Sequence, residues 1–149
     1  MADLKLIIVS PERELYSGKV DMVLAPGING QLGILPNHIP LITQLAEGEL
    51  RAQDDDEEHY FAIHGGFMHV LPDKVIVLAD VAERAEEIDV ERAEAARQRA
   101  VEMLSQAPPE QRRLIQVALR RSQVRLRAAR RRRRRRTAPA SYPTMGEGE

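Results

Sequence analysis

The sequence changes period at Ile88, and that change limits the chain to a β unit followed by helices. Before it, short aliphatic and β-branched runs lie at residues 4–9, 15–24, 31–35, 41–45, 49–53, 60–63, 67–71 and 75–78. Turn signals such as Pro11, Pro26-Gly27, Gly65-Gly66 and Pro72-Asp73-Lys74 separate them. Short runs broken about every 8–12 residues read as an antiparallel sandwich or barrel. After Ile88, residues Ala93, Ala96, Ala100 and Leu104 recur at helical spacing. Asp89 stands at the N-cap, and Glu91 lies in the first turn, where the helix dipole favours an acid. Residues 105–109 break that helix, and Pro109 suits the start of the next. Leu114, Ile115, Ala118, Leu119, Ser122, Leu126 and Ala129 then form a second stripe. Two such helices joined by a short loop make an αα-hairpin.

The expected fold class is therefore α+β. An N-terminal antiparallel β-sandwich occupies residues 1–86, an antiparallel helical hairpin 87–136, and a Pro/Gly/Ser-rich tail, expected to be disordered, 137–149. Aromatics make up 3% of the chain and Trp is absent, so the core must be aliphatic. Without cysteine there are no disulfides and no thiolate metal sites. No basic n-region precedes an apolar stretch, and no apolar run approaches the roughly 18 residues of a spanning helix. The reading is a soluble chain that meets a membrane only through a partner.

Charge separates the two halves. Residues 1–80 carry 5 basic and 13 acidic side chains, a net of −8; residues 81–149 carry 17 and 10, a net of +7. Residues 110–136 hold 13 arginines against one glutamate, and residues 130–136 are arginine without a break. Such a segment suits an acidic protein partner, a nucleic acid, or plain solvation. Base stacking needs aromatics, and from 61 to 141 there are only Phe61 and Phe67.

No catalytic constellation emerges. His59, His64 and His69 share no metal-ligand spacing and read as strand histidines. The acidic residues 54–58 lack the glycine and spaced acid of a calcium loop and read as a solvated hairpin tip. Gly27, Gly30 and Gly33 mimic half of a dinucleotide fingerprint, but a strand follows where a helix is needed. The chain is expected to have no catalytic site and no metal.

Two stretches invite partner or ligand readings. In residues 30–41, Pro36 and Pro40 bracket Asn37-His38, fix φ, and push Leu35 and Ile39 toward extended conformations. His38 reads either as a solvated loop histidine or as a stiff tip that another protein contacts. In Ile88-Asp89-Val90-Glu91-Arg92-Ala93, helix initiation alone accounts for the pattern. Convergence of Arg92 with Arg121 or Arg125 across the hairpin would instead face two guanidiniums onto one anion.

Residues 3–130 resemble the epsilon subunit of bacterial F-type ATP synthases. The resemblance is carried by Tyr16-Ser17-Gly18, by residues 30–41 (Gly-Gln-Leu-Gly-Ile-Leu-Pro-Asn-His-Ile-Pro-Leu), by Gly65-Gly66-Phe67 and by residues 75–80 (Val-Ile-Val-Leu-Ala-Asp). It implies a sandwich of about ten strands plus a helical hairpin. It implies a non-catalytic central-stalk rotor subunit that binds the gamma subunit and the c-ring and couples proton flow to ATP synthesis. It places the chain peripherally at the cytoplasmic face of the bacterial cell membrane. The hairpin would rise to restrain ATP hydrolysis, its arginines drawn to an acidic segment of the beta subunits. Gln31 and His38 match positions near the c-ring loops, although an acid is common where Gln31 stands. Ile88, Asp89, Arg92 and Ala93, with Arg121 and Arg125, match the regulatory ATP site of some relatives, with Ser122 replacing a typical alanine. ATP would be an effector there and not a substrate. The competing reading is a free-standing β module whose Arg-rich tail binds nucleic acid.

Overall fold

The computed structural model describes residues 3–55 and 57–137, with side chains through Arg132. Eight strands come first: β1 Leu4–Val9, β2 Glu14–Val20, β3 Met22–Gly27, β4 Gly30–Ile34, β5 Leu41–Asp54, β6 Glu57–Val70, β7 Lys74–Ala79 and β8 Ala82–Arg84. A 3-10 turn, Ala85–Glu87, leads to α1 Val90–Gln106 and α2 Pro109–Thr137. The α+β sandwich-and-hairpin architecture is the one expected from the sequence. The strand order is β2-β1-β7-β6-β5-β3-β4, with β8 on β6. Every pairing is antiparallel except β1 with β7, which run parallel.

Eight strands agree roughly with the expected number: β5 and β6 each join two of the short runs, the 15–24 run divides into β2 and β3, and β8 is added. Residues 41–45 and 49–53 lie in one strand, and residues 60–63 and 67–70 in another. Those two strands serve both layers. The Gly66–Val70 half of β6 pairs with β7, whereas its Phe61–Ile63 half pairs with β8. The bend falls at Gly65 and Gly66, with φ of +84° and +130°. A Cβ on Gly66 would lie 2.2 Å from the Leu78 carbonyl oxygen, so only glycine fits this left-handed, closely approached position.

The core between the layers is aliphatic. Leu4, Leu6 and Ile8 of β1 meet Val23, Ile34, Leu50, Met68, Val70, Val75 and Val77, with Phe61 the one aromatic fully inside. Each such side chain contributes roughly 1.5–3 kcal/mol on burial. A second, smaller apolar cluster lies outside the sandwich. Tyr60 and Ala62 project from the opposite face of β6 and meet Ile88, Ala93, Val124, Leu126, Ala128 and Ala129. Both faces of β6 are thus covered, and residues 60–64 are buried without alternation.

The hairpin follows its sequence signals. The Asp89 carboxylate accepts the Arg92 amide at 3.1 Å and caps α1. α1 stops at Ala107, before Pro108, and Pro109 opens α2. α2 lies between α1 and the sheet, and its helix continues through the arginine run to Thr137. The expected disordered tail lies outside the described residues beyond Thr137.

Candidate functional site

The face of the sheet beneath α2 is an acidic frame around a small apolar stripe. Strand register builds it. Glu49 and Glu83 flank Ala62 on β5 and β8, and Glu47 lies opposite His64. α2 sets its alanines and Val124 on the stripe and its arginines on the frame. Arg125 grips Glu83 side-on, Nε donating to Oε2 at 2.7 Å and Nη2 to Oε1 at 3.1 Å. Arg121 reaches Glu47 at 3.5 Å, Arg131 reaches Glu49 at 2.8 Å and Arg132 reaches Glu86 at 3.4 Å. The negative N-terminal half and positive C-terminal half of the sequence therefore meet within one molecule.

The polar groups under α2 are constrained by burial. Burial pushes the Glu49 carboxyl above the usual carboxylate range, against the pull of Arg131, Arg127 and Arg51. Burial likewise lowers the His64 imidazole, opposed by Glu47 and Glu83 and aided by Arg121 and Arg125. His64 Nδ1 lies 3.9 Å from Glu47 and makes no hydrogen bond among the described residues; neither does Glu47 Oε2. Five of the six residues expected to hold ATP belong to this docking interface or to helix initiation. Asp89 caps α1, Ala93 is buried against α2, and Arg121 and Arg125 engage sheet carboxylates. Ile88 joins the apolar cluster, and Arg92 is exposed without an ion pair among the described residues.

The Pro-bracketed tip is a tight, tethered turn. Asn37 adopts φ +66° and donates its amide to the Pro72 carbonyl at 2.7 Å. His38 Nδ1 donates to the Ile39 carbonyl at 2.7 Å. Leu35 and Ile39 stand out on either side, Ile39 at 78% exposure. Gln31 is exposed at the other end of β4, beside Glu47, Glu49, Arg127 and Arg131, so it and His38 flank the strand rather than share one tip.

One exposed apolar surface has no counterpart in the sequence reading. The outer face of the other layer is apolar and bare. Phe67 and Leu78 oppose one another across β6 and β7 at 54% and 52% exposure. Ile42, two residues from the Gln44 that opposes Phe67, is 71% exposed. The signal was the run Val75-Ile76-Val77-Leu78-Ala79, apolar at every position, as a strand covered on both faces would be.

The family model for the beta-sandwich domain of the ATP synthase delta/epsilon chain matches residues 3–85, and that for its long alpha-helix domain matches residues 86–130. The chain belongs to the epsilon chain family of bacterial F-type ATP synthases. The ATP synthase epsilon chain of Dehalococcoides mccartyi strain BAV1 is 49% identical over 131 residues, covering 87% of this chain and 94% of that relative. The epsilon chain of Moorella thermoacetica is 47% identical over 131 residues, covering 87% and 98%. Among solved structures, a chain of the Euglena gracilis mitochondrial ATP synthase assembly of OSCP, F1 and c-ring superposes with a TM-score of 0.75 at 26% identity. That match covers 87% of this chain and 82% of that one. As an epsilon-family member, the chain is a non-catalytic subunit of the ATP synthase complex. No helix among its described residues is long and apolar enough to cross a membrane.

Proposed function

We propose that this epsilon-family chain is a rotor subunit of the central stalk, seated peripherally at the cytoplasmic face of the bacterial membrane. The observation that carries the reading is the asymmetry of the sandwich. One outer face lies under the subunit's own hairpin, and the other presents Ile42, Phe67 and Leu78 to solvent. An uncovered apolar face of this kind marks a partner surface. It takes the gamma subunit, and Gln31 and the His38 tip face the polar loops of the c-ring. So gripped, the chain turns with the rotor and helps couple proton flow to ATP synthesis.

The hairpin is the regulatory element. Its Arg121, Arg131 and Arg132, 53%, 50% and 32% exposed, hold carboxylates of the same chain, of which Glu47 and Glu49 are only 19% and 12% exposed. Acids of the beta subunits replace Glu47, Glu49 and Glu86 as partners when the hairpin lifts and restrains ATP hydrolysis, and the sheet carboxylates return to water. ATP acts as an effector that favours the lowered hairpin. Ile88, Asp89, Arg92, Ala93, Arg121 and Arg125 are the residues for it, its phosphates displacing Glu47 and Glu83 from the two α2 arginines. The nucleic-acid reading loses ground because Arg121, Arg125, Arg130, Arg131 and Arg132 already hold carboxylates of this chain.

Size-exclusion chromatography with purified gamma subunit tests the reading. Co-elution that is lost in Phe67→Glu is expected. Failure to co-elute, with salt-sensitive binding to bulk DNA instead, would overturn it. Equilibrium dialysis tests the effector site: Arg121→Ala should weaken ATP binding, and equal binding by both proteins removes Arg121 from it.

A further inference from the structure

Two strands end the sheet, β2 and β4, and their free edges differ in chemistry. The β2 edge carries Glu14 and Lys19, both exposed, with Lys19 3.4 Å from Asp3. Edge charges of that kind discourage a further strand. The β4 edge has no such protection. Residues 28–35, Ile-Asn-Gly-Gln-Leu-Gly-Ile-Leu, hold no charge and no proline. β4 pairs with β3 alone, and no other element supplies a backbone hydrogen bond to residues 31–33 among the described residues. Register sets the direction of its polar groups. Opposite residues of an antiparallel pair alternate between exchanging two backbone hydrogen bonds and exchanging none. The two-residue turn at 28–29 closes on the Gly27–Gly30 pair, and Pro26, opposite Gln31, has no N–H to give. Gln31 and, two residues on, Gly33 therefore turn their N–H and C=O away from β3 and into solvent. Both residues are exposed.

That edge is complementary to itself. When two copies pair antiparallel about a two-fold axis at Leu32, Gln31 of each copy faces Gly33 of the other. Every outward group of Gln31 and Gly33 then finds a partner across the axis. Moving the axis to Gln31 or Gly33 leaves the other residue without a strand partner. Leu32, partly buried, meets Leu32 of the second copy at the closer spacing of about 4.5 Å between Cα atoms. Leu35 of each copy, 58% exposed, comes alongside the Ile28-Asn29 turn of the other, where Ile28 is 53% exposed. The formal net charge of −1 offers little long-range repulsion between copies.

We propose that free copies of this chain form a two-fold dimer through β4, joining their sheets edge to edge. Gln31 is also one of the c-ring contacts proposed above, so, on that function, pairing and entry into the rotor exclude one another. Dimerisation of the free chain does not depend on that function.

Sedimentation equilibrium of the full chain alone tests the dimer. The weight-average mass should climb from 16.8 kDa toward twice that value between about 1 μM and 1 mM, the range of a small interface. Gly33→Pro removes an outward N–H, and Gln31→Lys places a charge on the edge; each should raise the midpoint concentration about tenfold or more. Ser17→Lys, which adds the same charge to the exposed β2 edge, should change it less than about twofold. Circular dichroism confirms the sheet of each variant, and Gln31→Lys decides should Gly33→Pro fail to fold. A mass fixed at one chain would overturn the proposal. So would dimers indifferent to Gln31→Lys, or weakened equally by Ser17→Lys. A chain that stays monomeric, yet loses co-elution with the gamma subunit in Gln31→Lys, would give the edge to a strand of gamma instead and likewise overturn it.

Discussion

Arg125 is the side chain whose removal should loosen the hairpin most. It holds Glu83 through two hydrogen bonds at 2.7 and 3.1 Å, with the two side chains only 26% and 28% exposed. A fully buried pair broken on one side costs about 3–5 kcal/mol, and an exposed one about 0–1 kcal/mol. Glu83 sits at the rim and rehydrates once Arg125 is gone, so Arg125→Ala should weaken docking by about 1–2 kcal/mol. That is a rise of about 5–30-fold in the undocked fraction. The chain has no cysteine, so Ala62→Cys places a single thiol on β6 directly beneath α2, at a fully buried position. Its alkylation rate reports how often the hairpin opens. Arg125→Ala in that background should accelerate alkylation by the stated factor. Arg113→Ala, an exposed arginine without an ion pair among the described residues, should not. An unchanged rate, or equal acceleration by both, would refute the ionic clasp.

The same thiol reports on pH. Burial lowers the docked His64 below its ordinary value of about 6.5, so protons bind better once the hairpin lifts. Docking is at full strength above about pH 6.5 and weakens as pH falls below it. Alkylation, corrected for thiol ionisation, should therefore speed up between about pH 7 and 6, and His64→Gln should flatten the profile. Glu49, raised by burial, acts in the opposite sense, favouring the docked form on acidification at and just above its ordinary value near pH 4.5, so the two are separable. Gly66→Ala forces a Cβ to 2.2 Å from a carbonyl oxygen at φ +130°, and should destabilise the fold by about 2 kcal/mol or more, read as a drop of several degrees in Tm. Removing residues 130–149 takes away the arginine partners of Glu49 and Glu86 and the second arginine on Glu94, which keeps Arg97. Alkylation of the Ala62→Cys thiol should rise in that truncated chain; an unchanged rate would show that the described pairs of Arg130, Arg131 and Arg132 contribute nothing to docking.

The period change at Ile88 made the architecture legible, since alternation and helical stripes report the backbone directly. Strand number was blurred because Gly65-Gly66 reads as a break, yet here it bends one continuous strand across two layers. The opposed charges of the two halves were plain, but their meaning was not. Separate partners and mutual neutralisation leave the same composition; only the register that sets Glu49 and Glu83 on either side of Ala62 distinguishes them. Asp89 and Ala93 show a similar ambiguity. A helix N-cap and a packed alanine have the same letters whether or not an anion sits nearby. The bare face of β5, β6 and β7 went unread because an exposed leucine and a core leucine look alike in sequence. Its one clue was the missing alternation in β7.

In the proposed role the sandwich holds the rotor while the hairpin is a releasable brake. ATP hydrolysis by the catalytic head reassembled with gamma and this subunit tests it directly, comparing the full chain with one ending at Glu87. The truncated subunit should remain bound, and hydrolysis should rise. Hydrolysis unchanged by the truncation, with the subunit still in place, would contradict the account.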